Sequence, residues 1–373
     1  MKKDVKNIKE RMIDAEEINL KKQKIRKILF FKIGALGDVL MTTPLVREVR
    51  KIFPKAKLTY YVGKYAAPVL EGNKNVDRIE TFDQDMFFKK NPFKVVALRS
   101  RIIKEHFDMA FVLDKHWIFG YFMKLCNIPV RIGFNRNGEG KYHTASIIYH
   151  QPQHEILYYI SLLEALGIKP EYNTQLDLFV SKKDMAFAEK FFKDNKLRGT
   201  VVGVLVGGGG DNPGESGTIR RWSTHNYIEL IHKLSKNYKV VLLGGPRDKE
   251  LNENIIKFIK NKNVVNSAGR TAVHQSAALM KKCNVIVCHD SGPMHMAVAV
   301  NKKIVSLFGP TTPIRKAPLH KESIAIWHDQ DIYEEGYELY GRLPDHSKKN
   351  KWMRGIAVNE VLNAVKTLLH AKK

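Results

Sequence analysis

From Ile25 onward the chain alternates strand-like and helix-like segments, pauses, and then begins the same alternation again. The first series carries the strand-like runs "KILFFKI", "KLTYYVG", "RIETF", "MAFVLD" and "VRIGF". Amphipathic segments separate several of them, such as "LVREVRKIF", where Leu45, Val49, Ile52 and Phe53 share one helical face. A long helix, "HEILYYISLLEALGI", closes the series at Gly167. Residues 169–184, polar and holding Pro170, read as a connection. The second series follows with the strands "TVVGVLVGG", "KVVLLGG", "NVIVCHD" and "KIVSLFG", again with helices between them. Alternation of this kind predicts α/β architecture, with parallel sheets covered on both faces. Two series in 373 residues predict two Rossmann-like, doubly wound domains, since single cores rarely grow past roughly 250–300 residues. We place them at residues 24–175 and 182–350. A charged appendage (1–23) precedes them, and a C-terminal helix (355–373) packs back on the N-terminal domain.

Val5, Ile8 and Met12 stand at helical spacing in the appendage, but Glu16 and Asn19 break the stripe, so it reads as a surface helix. The first 27 residues are densely charged and hold no apolar signal-peptide core, and no apolar run approaches the roughly 20 residues of a membrane span. A cytoplasmic protein is the expectation. Cys126, Cys283 and Cys288 have no zinc-type spacing and read as buried thiols in a reducing compartment. Sixty-three Lys and Arg stand against 38 Asp and Glu, a net charge of +25. Such an excess implies an anionic partner: nucleic acid, a membrane surface or a phosphorylated substrate. The lysines are scattered, with no zinc-finger spacing or aromatic RNA-binding signature, which argues against nucleic acid.

Chemistry concentrates where strands end. "KIGALGDVLMTTP" is a strand, a glycine turn and a helix, yet its glycines are not those of a dinucleotide loop, and Asp38 stands in the first helical turn. A carboxylate there repels a diphosphate. "VLVGGGGDNPGESGTIRRW" runs from a strand into a glycine-rich loop, with Gly207 and Gly208, and reaches Arg220 and Arg221 just before a helix. Glycines admit close backbone approach, and guanidinium groups pair with phosphate oxygens. In "NVIVCHDSGPMHMAVAV" a buried strand delivers Asp290, and a helix starts through Ser291, Gly292 and Pro293. The free N–H groups of Ser291, Gly292 and Met294, with the helix dipole, make an anion site to which His295 adds a donor. "LFGPTTP" forms another strand-end loop.

These stretches, with "RIGF", "VVLLGGPRDKE" and "KWMRGIAVNEVLNAV", resemble glycosyltransferase family 9, the ADP-heptose:lipopolysaccharide heptosyltransferases and their relatives, from about Lys27 to Lys366. The resemblance implies the GT-B fold, in which two Rossmann-like domains face a central cleft. It implies Asp38 as catalytic base, Asp290 on sugar hydroxyls, and Ser291, Gly292 and His295 at the diphosphate. Arg220, with Arg221 beside it, stands where the family usually has Lys and neutralises the leaving group. The family's acidic residue for the nucleotide ribose has no clear match; Arg247 and then Asp248 stand near it. Gly37, Arg131 and His154 are the candidate acceptor contacts. The implied reaction is an inverting, metal-independent transfer of heptose from ADP-heptose to a lipid A–Kdo type inner-core acceptor. No cofactor is implied beyond the nucleotide-sugar co-substrate. The implied partners are that nucleotide sugar, an anionic lipid-linked oligosaccharide and the inner face of the cytoplasmic membrane of a Gram-negative-type bacterium.

The alternatives are a family-9 transferase using another nucleotide sugar or a later core acceptor, and a non-catalytic sugar-nucleotide-binding protein. An NAD-linked oxidoreductase ranks third, because the dinucleotide fingerprint is missing. The D-x-D triplet Asp83–Asp85 reads as an exposed turn, and Pro152 breaks any shared helical face of His150 and His154, so no metal site is expected.

Overall fold

The structure is a computed structural model and describes residues 12–13, 24–89, 91–149, 152–207, 220–301, 303–328 and 353–371. It divides into two units, Met1–Asp177 and Leu178–Lys373.

The first unit runs β1 (Met12–Ile13), β2 (Lys27–Lys32), α1 (Leu36–Ile52), β3 (Lys57–Gly63), β4 (Arg78–Phe82), α2 (Asp85–Phe88), α3 (Pro92–Glu105), β5 (Met109–Val112), α4 (Trp117–Leu125), β6 (Val130–Asn135), β7 (Ala145–Ile148) and α5 (Glu155–Ser161). Six parallel strands lie in the order β4-β3-β2-β5-β6-β7. The chain winds outward from β2 to β4, returns to lay β5 beside β2, and winds the other way. That reversal leaves a crevice at the carboxyl ends of β2 and β5, the usual ligand position of such sheets. Ile28, Leu29, Phe30 and Phe31 are all buried, as a strand covered on both faces requires.

Met12 and Ile13 pair antiparallel with Ile147 and Ser146 of β7. These two residues are therefore strand, not the surface helix read from the sequence. An edge strand offers unpaired backbone groups that a broken apolar stripe cannot match. The other residues of the appendage lie outside the described residues.

Helix α1 carries Pro44, which has no N–H to give the Leu40 carbonyl. The Thr43 hydroxyl donates to that carbonyl instead at 2.7 Å, and Thr42 donates to Val39 O at 2.7 Å. The "TTP" triplet thus keeps the helix behind the glycine turn intact. At Gly63 the sheet allows no side chain: a Cβ there would fall 2.0 Å from the Ile33 carbonyl oxygen. Gly63→Ala is expected to destabilise the unit by about 2 kcal/mol, because a backbone atom has to move. Urea unfolding followed by circular dichroism measures this, and an unchanged midpoint would contradict the packing.

The second unit runs α6 (Lys182–Asp194), β8 (Val201–Leu205), α7 (Thr224–Ser235), β9 (Lys239–Leu243), α8 (Lys249–Ile259), β10 (Val264–Asn266), α9 (Val273–Lys282), β11 (Val285–His289), α10 (Gly292–Val300), β12 (Ile304–Leu307), α11 (Pro313–Lys316), β13 (Ser323–Ile326) and α12 (Val358–His370). Its parallel order, β10-β9-β8-β11-β12-β13, repeats the winding of the first, with the reversal between β8 and β11. Helix α12 buries Val361, Val365 and Leu368 in this unit's own core. The apolar stripe of this helix, expected to serve the first domain, is satisfied in the second unit's core. Trp222 is buried in the same core and donates from Nε1 to Ile356 O at 3.1 Å. The indole thereby anchors the segment that carries Arg220 and Arg221. All three cysteines are free and buried.

Candidate active site

Each sheet places chemistry at its own reversal point. In the first unit Asp38 follows β2, two residues into the first turn of α1 after Leu36 and the buried Gly37. Its partly exposed carboxylate makes no hydrogen bond or ion pair with another described residue. Beneath it lies a buried network that the sequence did not reveal. Lys32 Nζ reaches Asp114 Oδ1 at 2.5 Å, and the Ile33 N–H donates to Asp114 Oδ2 at 2.6 Å. Burial opposes the Lys32 charge, but the carboxylates of Asp114 and Asp38 outweigh it and hold the ammonium above its ordinary range. One buried cation thus serves two carboxylates, and Asp38 is the one left open. Lys115 follows on the same strand end, pairs with Glu155 at 2.5 Å and lies 4.3 Å from the centre of the Tyr149 ring. Only the topology, with β5 beside β2, brings Asp114 and Lys115 to Asp38.

Two acceptor candidates have other duties. Arg131 is the second residue of β6 and pairs, through Ala110, with the level of Leu29 in β2. That is toward the amino end of the sheet, whereas Asp38 lies past the carboxyl end. Its guanidinium donates to the carbonyls of Ile128 (2.6 Å) and Tyr142 (3.0 Å). His154 is the buried N-cap of α5, with Nδ1 accepting from the Ile156 N–H at 3.2 Å. These bonds engage the Arg131 guanidinium and the His154 Nδ1 within the fold.

In the second unit Gly207 follows β8 and Asp290 follows β11. Gly208 lies outside the described residues. A Cβ at Gly207 would fall 1.7 Å from Asp248 Oδ1, so a glycine is needed for that carboxylate to close over the strand end. Asp248 also accepts from the Gly245 N–H at 2.8 Å. Asp248 therefore stands at the same strand end as Gly207, although its offset after "LLGG" hid this in the sequence. Arg220 Nη1 stands 3.6 Å from Asp290 Oδ2. Burial opposes ionisation of Asp290, but the charges of Lys316, Arg220 and His295 outweigh it, helped by the Thr311 hydroxyl, and hold the carboxyl at about 2. Lys316 and Thr311 come from the "GPTTPIRK" loop after β12; the loop was legible in the sequence, but these two residues were not.

Helix α10 opens at Ser291 with no side-chain cap. Met294 N–H donates to Ser291 O at 3.0 Å and is not free, which corrects one of the three expected donors. Ser291 Oγ and Asp290 Oδ2 are buried at this helix start without a close hydrogen bond, Asp290 Oδ2 facing Arg220, and the Thr311 hydroxyl is buried beside Asp290. Buried polar atoms are rarely left so, and two at one uncapped helix start mark a ligand position. Next to them His289 is fully buried, with Nδ1 3.1 Å from the Tyr227 hydroxyl.

The carboxylates of the D-x-D triplet pair with lysines, Asp83 with Lys94 and Asp85 with Lys89. Among the described residues no group of three or more His, Cys, Asp or Glu is placed to hold a metal ion.

Burial pushes His289 down to about 4, with Arg221 and Arg220 adding to the effect against Asp290. Burial does the same to His143, also to about 4, aided by Arg131 against Glu139. Both rings stay neutral in the fold, while unfolded histidines titrate near 6.5. Between pH 6.5 and 4 the unfolded chain binds more protons, so stability is full above pH 6.5 and falls as the pH drops. The expected loss is about 3 kcal/mol per ring, read from urea unfolding across that range. A flat profile would contradict the burial of neutral rings.

The family model for glycosyltransferase family 9 (heptosyltransferase) matches residues 95–336. The chain is 23% identical to the lipopolysaccharide core heptosyltransferase OpsX of Haemophilus influenzae over 353 residues, covering 92% of this chain and 97% of that protein. Among solved structures, a family 9 glycosyl transferase from Veillonella parvula superposes with a TM-score of 0.75 at 23% identity, covering 93% of this chain and 98% of the other. The Escherichia coli ADP-heptose lps heptosyltransferase II superposes with a TM-score of 0.73 at 22% identity, covering 92% and 98%. With the GT-B fold and a family match over well more than half its length, the chain belongs to glycosyltransferase family 9 and is a glycosyltransferase.

Proposed function

We propose that this enzyme transfers a heptose from ADP-heptose to a hydroxyl of an anionic, lipid-linked inner-core saccharide, with inversion and without a metal ion. The observation that carries this reading is the start of α10: the buried Asp290 carboxylate and Ser291 hydroxyl lack close hydrogen bonds there, with the charges of Arg220, Lys316 and His295 around them. The names of the relatives support heptose as the sugar and the lipopolysaccharide core as the acceptor.

The acceptor hydroxyl attacks the anomeric carbon from the face opposite the diphosphate. The new C–O bond forms as the bond to the phosphate oxygen breaks, and ADP leaves with the electron pair. Asp38 takes the hydroxyl proton; a carboxylate suffices because the hydroxyl acidifies as it bonds to an oxocarbenium-like carbon. Lys32, held by Asp114, keeps a positive charge beneath Asp38 and positions it. Arg220, Lys316 and the first N–H groups of α10 take the charge of the leaving diphosphate. Asp290 holds sugar hydroxyls, and Asp248 is placed for the ribose. The charge excess of +25 supports an anionic acceptor and association with the inner face of the cytoplasmic membrane.

Incubating the enzyme with ADP-heptose and Kdo-lipid A in EDTA tests the reading. ADP release at an undiminished rate is expected, and other nucleotide sugars should release far less. A strict Mg²⁺ requirement, lost in Asp83→Asn, would overturn the metal-free reading.

A further inference from the structure

Helices α2, α3 and α4 cover one face of the first sheet, with Met86, Leu98, Ile102, Phe119 and Phe122 in a shared core. Phe87 joins α2 to α4, its ring centre 5.3 Å from Phe119 and 5.5 Å from Phe122. Their outer side is unusual. On α3 the residues Phe93, Val96, Ala97, Ser100, Arg101 and Lys104 share the exposed face, apolar at the N-terminal end and basic behind. Phe93 is 85% exposed, Val96 58% and the neighbouring Phe88 52%. On α4 Trp117 and Tyr121, one turn apart, are 45% and 41% exposed and pack on Tyr142, over which Lys141 lies. The apolar ends sit at the carboxyl ends of β4 and β5, the edge at which Asp38 follows β2.

We propose that this surface docks the enzyme on an anionic lipid bilayer, with Phe88, Phe93, Val96, Trp117 and Tyr121 entering the headgroup boundary. The proposal rests on the reading of the acceptor as lipid-linked and deepens it by naming the face that meets the membrane. Charge selects this occupant. Six basic residues stand against three acidic ones between Asp83 and Glu105, and a basic surplus remains after Lys94 and Lys89 pair with Asp83 and Asp85 and Arg101 pairs with Glu80. A second protein is a poorer fit, because protein interfaces are depleted in Lys. Trp, Tyr and Phe amid Lys and Arg match the boundary of a bilayer, where rings bury their apolar body and basic heads meet lipid phosphates. Docking along this edge also brings the Asp38 end of the sheet toward an acceptor anchored in the same membrane.

Co-sedimentation of the full-length enzyme with phosphatidylcholine vesicles, with and without phosphatidylglycerol, tests the surface. The wild type should bind the anionic vesicles and release them at high salt. Phe93→Ser with Trp117→Ser should weaken that binding by about tenfold or more. Both side chains are exposed, so the fold is spared, and kcat/KM with an acceptor saccharide lacking acyl chains should not change. Vesicle binding equal to wild type in the variant would overturn the proposal. So would a wild type that ignores anionic vesicles, or a variant whose only change is a smaller oligomer. If the vesicle results hold but the wild type transfers no sugar to the soluble acceptor, the functional reading fails and the docking surface stands.

Discussion

Asp38→Asn is expected to lower turnover about 10³-fold, within the range for loss of a general base, while ADP binding stays as it was. The substitution exchanges one oxygen for an amide of the same size. It takes no hydrogen bond from another described residue, so no partner is orphaned. Lys32 keeps its 2.5 Å pairing with Asp114, so the buried charge beneath remains compensated. The groups proposed for the donor follow β8, β11 and β12 of the second sheet, a separate set from Asp38. Steady-state ADP release and calorimetric ADP titration together separate these two effects. Unchanged turnover would remove Asp38 from the chemistry, and a parallel loss of ADP affinity would place the diphosphate at the first sheet instead.

Arg220→Ala is expected to weaken ADP binding by about 1.5–3 kcal/mol, the range for hydrogen bonds to charged groups. Arg220 stands 3.6 Å from Asp290, at the carboxyl end of β11, where the buried Ser291 hydroxyl also lies. The charge of Arg221 acts on Asp248 and, together with Arg220, on His289, but not among the charges that hold Asp290, so Arg221→Ala should cost much less. Titration calorimetry of ADP into both variants decides between them. Equal small losses would mean that Lys316 and the start of α10 hold the diphosphate alone. A large loss only in Arg221→Ala would shift the assignment by one residue.

The doubly wound fold was legible because strand and helix periods alternate cleanly from "KILFFKI" to "KIVSLFG". The positions of Asp290 and Ser291 were legible because they follow directly on a strand that the pattern marks, and that of Asp38 because the glycine turn after β2 leads straight into a marked helix. Lys32, Asp114 and Lys115 were not, because their meeting depends on β5 lying beside β2, a long-range pairing with no local signal. The level of Arg131 in its sheet was hidden for a related reason. A motif such as "RIGF" does not state its register, and β6 turns out to carry its arginine at the amino end. Asp248 is visible only through Gly207, whose missing side chain makes room for the carboxylate. The strand at Met12 and Ile13 escaped because an edge pairing of two residues leaves no periodicity to read.

The central claim is a single displacement that moves a sugar from nucleotide to acceptor with Asp38 as base. The anomeric configuration of the product, read by proton NMR after wild-type turnover of ADP-heptose with Kdo-lipid A in EDTA, tests it most directly. The account predicts one ADP released per heptose transferred, and a linkage of configuration opposite to that of the donor. A product with retained configuration, or nucleotide binding with no transfer at all, would contradict it.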